Sequence, residues 1–192
     1  MPSASTLESM SPGLLKVVER AQREPEVRFH SLAHLIDVPA LERAYQRMRK
    51  DAAVGVDGMN KAAYGEGLQE RLQDLHARLV GKRYRHQPIR RVHIPKAQGK
   101  TRPIGISAFE DKLVQDAVRE VLDAVYEQDF MDCSYGFRPG RSAHDAVRRL
   151  DHIVHRGEVN WILEADICVL FSLVWIAPNS RKCSRLGWGM GR

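Results

Sequence analysis

Positive charge is concentrated in one stretch of the chain, residues 82–103. This stretch contains eight lysine and arginine side chains and no acidic one. By contrast, residues 1–81 carry 11 basic and 11 acidic side chains, and residues 104–192 carry 11 and 13. Because no carboxylate inside the stretch can neutralise its cations, they favour a polyanionic partner. The alternative is a solvated basic surface without a ligand.

A carboxylate near the end of a predicted strand is the second feature suited to chemistry. Residues 160–167 alternate between the two faces of a strand, and Asp166 lies close to the end of this segment. A carboxylate at the end of a strand is a group that can hold Mg²⁺, which prefers carboxylate, phosphate and water ligands. Taken alone, a single aspartate in such a position is more often an ordinary exposed residue.

The basic stretch is predicted to form a β-hairpin that would present its cations. Polar and apolar residues alternate from Arg90 to Pro95, residues 97–100 supply a turn, and Thr101 to Ile106 returns. Pro95 and Pro103 indicate edge strands, because proline cannot donate a hydrogen bond within a sheet. A two-stranded ribbon leaves many side chains in water, where arginine and lysine can reach a ligand.

Helical spacing of apolar residues predicts most of the remaining elements, and residues 53–58 are predicted to be a turn between two of them. A serine with an aspartate three residues later resembles a capping box that opens the last helix. The positions that carry these predictions are Leu14–Arg23; Leu41, Ala44, Tyr45 and Met48 after Pro39; Leu68, Leu72, Leu75 and Leu79 before Gly81; Val114, Val118, Val121 and Val125; and Ser142 with Asp145 before Ala146, Val147, Leu150 and Val154.

Composition narrows the classes of protein that fit the chain. The hydrophobic fraction of 43% is sufficient for a globular core. No apolar run approaches the roughly 20 residues that span a bilayer, so no membrane partner is expected. The three cysteines lack CxxC spacing, which argues against a disulfide framework or a zinc site and for a reducing, cytoplasmic setting.

Five segments resemble the group II intron reverse transcriptases, which are also called maturases. One such string alone would be a weak signal, but the five follow the order and spacing of that family between about residue 30 and residue 167. The segments are Val54–Gly58, Ile89–Lys96, Thr101–Ile106, Ser134–Arg141 with its continuation to Ala146, and Glu164–Ile167.

The resemblance implies an α+β fold, a fingers and palm fragment of the right-hand polymerase fold. Such a fragment would be rich in helices, with a β-hairpin and an incomplete palm sheet. It also implies four segments along the chain. These are an N-terminal extension (residues 1–30), a helical fingers segment (31–81), fingers with the first palm strand (82–167), and an aberrant tail (168–192).

The same resemblance implies a nucleotide site and a magnesium site. Lys96 and Arg102 would clamp the triphosphate of an incoming deoxynucleotide, with Arg90 as a third cation. Phe171 stands where the family has the aromatic residue that senses the 2′ position of the sugar. Asp166 matches the first catalytic carboxylate, and with the backbone carbonyl of Ile167 it would bind Mg²⁺.

A loop with two arginines resembles the part of the family that contacts the RNA template. Arg138 and Arg141 would contact template phosphates, and Arg91 of the hairpin is a further candidate for RNA binding. Gly136 and Gly140 would allow the backbone to approach the ligand closely.

The resemblance weakens after Ile167. Ser172 replaces the aspartate that should follow the aromatic residue, and no Tyr/Phe-Ala-Asp-Asp motif occurs in the 192 residues. A shifted reading frame over residues 175–184 is one explanation. We therefore expect this chain alone to be truncated and inactive in DNA synthesis. The alternatives are an RNA-binding fragment without catalysis and a degraded gene product without function.

Overall fold

The computed structural model describes residues 10–95, 101–157, 159 and 161–163. This part of the chain is rich in helices and contains one two-stranded antiparallel sheet. A short 3₁₀ turn spans Ala33–Leu35. The elements are α1 (Pro12–Arg23), α2 (Val38–Arg47), α3 (Lys61–Gly65), α4 (Leu68–Val80), β1 (Arg90–Pro95), β2 (Thr101–Ile106), α5 (Phe109–Tyr126) and α6 (Ala143–His155).

The chain divides into two compact units, one formed by Ala33–Leu122 and the other by Met1–Leu32 together with Asp123–Arg192. The division falls within α5. No helix in the described part of the chain is both long and apolar enough to cross a membrane.

The unit of residues 33–122 is built around helices α2, α4 and α5. Helix α2 begins at a side-chain cap, where Asp37 accepts a hydrogen bond from the Ala40 amide at 2.8 Å. Helix α4 ends before Gly81, as predicted. One buried cluster joins the helices through the side chains of Leu41, Ala44, Tyr64, Leu72, Leu75, Phe109, Leu113 and Ala117.

The second unit contains α1, the end of α5 and α6. Its buried side chains include Leu14, Val17, Val18, Ala21, Val27, Phe29, Ala124 and Val125. The predicted capping box is confirmed, because Ser142 accepts from the Asp145 amide while the Asp145 carboxylate accepts from the Ser142 amide. Helix α6 buries no residue, however, and Val147 on its predicted apolar face is 65% exposed.

The predicted hairpin is confirmed, with both of its strands at a sheet edge. The register pairs Arg90 with Ile106 and Ile94 with Arg102. Pro103 lies opposite His93, a position that a two-stranded ribbon tolerates because proline's missing donor is not needed by a third strand.

The strand predicted for residues 160–167 is wrong where the structure can test it. Residues 161–163 have no strand structure, and Trp161 is 92% exposed. Alternation in sequence is not sufficient, since a strand also needs a neighbour to complete its hydrogen bonds, and none pairs with this segment among the described residues. Asn160 and residues 164–167 lie outside the described part.

Candidate nucleic-acid interface

The hairpin separates its arginines onto two faces. Cross-strand partners in an antiparallel pair share a face, so Arg90 and Arg102 lie on one side of the ribbon with Val92, Ile104 and Ile106. Those three apolar side chains are half-buried. Arg91 lies on the opposite side with His93, and both are exposed. The two arginines predicted to bind a nucleotide, Arg90 and Arg102, are therefore on the same face of the hairpin. Arg91, which is predicted to bind RNA, is on the opposite face.

Arg90 and Arg102 are separated along the ribbon. Arg102 lies opposite Ile94, four residues beyond Arg90, which is about 13 Å at the usual rise of a strand. Both side chains are exposed, and neither forms an ion pair within the described ranges of the chain. The pair can thus contact two separate positions on an extended anion.

The outgoing end of the hairpin is fixed by the segment around Asp57. The Asp57 carboxylate accepts a hydrogen bond from the Phe109 amide at 2.9 Å, where α5 begins three residues after β2. Gly55 lies so close to this junction that an added Cβ would be 2.5 Å from the Ser107 carbonyl oxygen. Asp57 and Gly55 therefore determine where β2 leaves the hairpin, which makes them positioning residues for Arg102.

The incoming end of the hairpin is fixed by Asp111, on the first turn of α5. Its buried carboxylate accepts a hydrogen bond from the Tyr84 hydroxyl and another from the Gln87 amide at 3.1 Å. Burial, followed by the hydrogen bond to Asp111, raises the pKa of Tyr84. Both ends of the hairpin are thus attached to the beginning of one helix.

Arg138 is placed differently from what its predicted role in template binding requires. Its side chain is only 1% exposed and forms an ion pair with Glu127 at 2.8 Å. The same guanidinium donates to the carbonyl oxygens of Met131 and Ser134, each at 2.9 Å. Since no part of this guanidinium faces solvent, we assign Arg138 a structural role in the loop instead of a phosphate contact.

Arg141 also binds the loop that precedes it. Its guanidinium donates to the backbone carbonyl and the side chain of Asp132, and it lies 5.4 Å from the centre of the Tyr135 ring. The side chain remains 24% exposed, so part of it can still reach a ligand.

Phe137, in the same loop, is fully exposed. Its relative accessibility is 110%, and its backbone has a φ of 57°, in the left-handed region that bulky residues rarely adopt. The sequence gives no signal for this geometry, because phenylalanine rarely adopts a positive φ.

Several predicted site residues cannot be placed. Lys96, Asp166, Ile167 and Phe171 lie outside the described residues, as does the whole tail from residue 168 to residue 192. Within the described part, no group of three histidine, cysteine, aspartate or glutamate side chains is arranged to hold a metal ion. The magnesium and nucleotide assignments for these positions remain predictions.

Comparison with known proteins identifies what the chain resembles. The family model described as reverse transcriptase (RNA-dependent DNA polymerase) matches residues 94–189. The chain is 37% identical over 166 residues to Protein YkfC of Escherichia coli, an alignment that covers 83% of this chain and 44% of that protein. It is 36% identical over 125 residues to the group II intron-encoded protein LtrA of Lactococcus lactis, an alignment that covers 65% of this chain and 20% of that protein.

A plant relative extends the similarity to maturases. The nuclear intron maturase 2 of Arabidopsis thaliana, a mitochondrial protein, is 33% identical over 64 residues, which is 32% of this chain and 8% of that protein. The chain thus spans less than half the length of each of these relatives.

Proposed function

We propose a function on one premise: this chain belongs to the reverse transcriptase (RNA-dependent DNA polymerase) family, in its group II intron-encoded branch. The proposal is that residues 33–122 act as part of the fingers of a right-hand polymerase. The hairpin face with Arg90 and Arg102 would bind the phosphates of an incoming deoxynucleotide. With no nucleotide bound, the same cations would also bind RNA phosphates, together with Arg91 on the opposite face.

One observation supports this proposal most directly: Arg90 and Arg102 lie on the same face of the hairpin, and both side chains are exposed without ion-pair partners in the described ranges. A triphosphate carries about four negative charges, and phosphoryl transfer is accelerated mainly by positioning and neutralising them. Arginine suits this task because its planar guanidinium can donate to two phosphate oxygens at once. Lys96, one residue beyond β1, would add a third cation.

Magnesium belongs to the proposal through the family, which is generally metal-dependent. Asp166 and the carbonyl of Ile167 would hold the ion, which when bound neutralises phosphate oxygens. Two-metal catalysis requires more carboxylates than Asp166 alone, and the paired-aspartate motif is absent from these 192 residues. We therefore propose binding of RNA and nucleotide as the activity of this polypeptide, with DNA synthesis belonging to intact members of the family.

RNA binding by the hairpin can be tested with charge reversal. Fluorescence anisotropy of a labelled 20-nucleotide RNA would compare the wild-type chain with the triple variant Arg90→Glu, Lys96→Glu and Arg102→Glu. We expect the affinity to fall at least 100-fold. The dependence of binding on salt should also decrease, by about 0.7 in log–log slope for each lost phosphate contact on a single strand.

A matched control has the same change in charge at three exposed lysine or arginine residues outside the hairpin, Lys16→Glu, Arg28→Glu and Lys50→Glu. This control should lose much less affinity than the hairpin variant. Equal losses in the two variants would show that net charge, and not the hairpin, determines binding. A hairpin variant that binds as tightly as the wild type would place the RNA contact elsewhere on the chain.

A further inference from the structure

A cleft of about 430 Å³ lies beside the outgoing end of the hairpin. Residues 105–107 line one side of it, residues of the 49–53 segment line the other, and Lys112 and Gln115 of α5 contribute side chains. All of these residues belong to the unit of residues 33–122. Sites for small molecules have volumes of roughly 300–1,000 Å³, so this cleft is large enough to hold one.

Two side chains of α5 hold the sides of the cleft in place. Lys112 donates a hydrogen bond to the Ala53 carbonyl oxygen at 2.5 Å, and the Gln115 amide donates to the Ser107 hydroxyl at 3.2 Å. Gly55 lets the two sides approach closely, because an added Cβ there would lie 2.5 Å from the Ser107 carbonyl oxygen. The cleft is therefore formed by contacts within the fold, and a ligand does not have to order its sides.

The charged side chains that line the cleft favour an anion. Lys112 and Arg49 are cations, and Asp51 is the one acid among the described residues that line it. The Lys112 ammonium has three N–H donors and uses one of them on the Ala53 carbonyl. The ion pair of Arg49 with Asp51 is exposed on both sides, at 78% and 74%, so it contributes little and Arg49 can turn to a ligand.

The uncharged groups of the cleft indicate what else the ligand carries. Ala52, Ala53 and Ile106 offer small apolar surfaces. The Ser107 hydroxyl has a proton to donate, and the side-chain oxygen of Gln115 can accept a hydrogen bond. A compact ligand with one anionic group, some apolar surface and polar edges matches this lining, and a nucleoside monophosphate has all three.

We propose that this cleft binds a small phosphate-bearing ligand of the size of a nucleoside monophosphate, with its phosphate held by Lys112 and Arg49. The site is distinct from the hairpin face that carries Arg90 and Arg102, because neither arginine is among the described residues that line the cleft. The inference does not rest on the proposed function, since it needs neither RNA nor the hairpin cations.

Titration with adenosine 5′-monophosphate, followed through backbone amide shifts by NMR, would locate the site. The amides of Ala53 and Ser107 should shift, and they should saturate at a lower concentration than any shifts of Val92 and Ile104 in the hairpin. Adenosine should bind about 10-fold more weakly or worse, because it lacks the charged group that Lys112 and Arg49 contact. Inorganic phosphate should also bind more weakly, because it has no apolar surface to place in the cleft.

Two exposed neighbours should change the affinity for adenosine 5′-monophosphate in opposite directions. Arg49→Gln should weaken binding by about 10-fold, because a charged hydrogen bond to the phosphate is lost. Asp51→Asn should strengthen it by about 2- to 5-fold, because the acid no longer competes for Arg49. Arg28→Gln is the matched control, since Arg28 is exposed and lies outside the cleft, and it should leave the affinity unchanged.

A third variant, Lys112→Gln, should also weaken binding, and its urea midpoint of unfolding shows whether losing the contact with Ala53 disturbs the fold. Arg49→Gln keeps the test independent of that contact.

Three results would overturn the proposal. The first is the absence of shifts at Ala53 and Ser107 at millimolar adenosine 5′-monophosphate. The second is an affinity that is the same in Arg49→Gln as in the wild type. The third is adenosine that binds as tightly as its monophosphate. None of these results bears on RNA binding by the hairpin, so this inference and the proposed function can fail separately.

Discussion

Asp57 accepts a hydrogen bond from the backbone amide of Phe109 across 52 positions of sequence, at a distance of 2.9 Å. The carboxylate thereby caps the first turn of α5 from outside the helix, in the place where a local N-cap residue would normally act. The same aspartate also accepts from the Met59 amide, which closes its own turn. One side chain thus joins the turn at residues 56–59 to the end of the hairpin.

The first prediction follows from this capping interaction. Asp57→Ala should lower the free energy of unfolding by about 1–2 kcal/mol, because an N–H at the start of α5 loses its acceptor. Urea denaturation monitored by circular dichroism would measure the change. Asp51→Ala is the control, because the side chain of Asp51 is 74% exposed and pairs only with Arg49 within the described residues, so its loss should have almost no effect. Equal changes in the two variants would contradict the capping role.

The buried pair of Arg138 and Glu127 leads to a second prediction. Arg138→Ala should destabilise the chain by about 3–5 kcal/mol, since it leaves the Glu127 carboxylate buried without a partner. The cost of Arg141→Ala should be much smaller, because that side chain is partly exposed and its partner Asp132 lies in water. Urea denaturation again gives the measurement.

A double variant tests whether the unpaired Glu127 carboxylate causes the loss of stability in Arg138→Ala. Replacing both partners, as in Glu127→Met with Arg138→Met, should recover much of the stability, because no buried charge is then left alone. A double variant that is as unstable as Arg138→Ala would show that the hydrogen bonds from Arg138 to Met131 and Ser134 matter more than the ion pair.

The sequence predicted those elements whose signals are local. Gly81 ends α4 and the Ser142–Asp145 box begins α6, because each depends on residues within one helical turn. The two strands of the hairpin follow from the alternation of polar and apolar residues on either side of a predicted turn. Each of these features is determined by residues that are close in sequence, so short segments are sufficient to predict it.

The parts that could not be predicted depend on contacts between distant or differently oriented residues. An arginine in a glycine-containing loop looks like a phosphate ligand, and nothing in the sequence shows that Glu127 lies beside Arg138. Phe137 adopts a positive φ that phenylalanine does not favour by itself, and its neighbours in the sequence do not indicate it. The exposure of Val147 on α6 likewise reflects the absence of a packing partner among the described residues, which amphipathic spacing cannot reveal.

The third prediction concerns stability at high pH. The pKa of Tyr84 is raised by burial and by its hydrogen bond to Asp111, and the pKa of Tyr64 by burial and by Glu110. The folded state therefore holds both protons more tightly than the unfolded state. Their contribution to stability is complete below about pH 10, the ordinary value for tyrosine, and is lost as the pH rises above it.

Urea denaturation between pH 8 and pH 11 would measure this loss. Tyr84→Phe should show a shallower decline above pH 10 than the wild type, because it has no hydroxyl to titrate. It should also be less stable at pH 8, because the Asp111 carboxylate no longer accepts a hydrogen bond from the Tyr84 hydroxyl. A decline that is as steep in Tyr84→Phe as in the wild type would contradict the assignment.

The fourth prediction is that this 192-residue polypeptide does not synthesise DNA. Two metal ions must contact both the attacking and the leaving oxygen, and each needs carboxylate ligands to hold it. Asp166 supplies one such group, while the paired-aspartate motif that would supply the others is missing from the sequence. Primer extension on an RNA template with Mg²⁺ should therefore give no product above background, whereas an intact group II intron-encoded reverse transcriptase should extend the same primer. Mg²⁺-dependent extension by the purified polypeptide, abolished in Asp166→Asn, would show that another carboxylate of this chain completes the site.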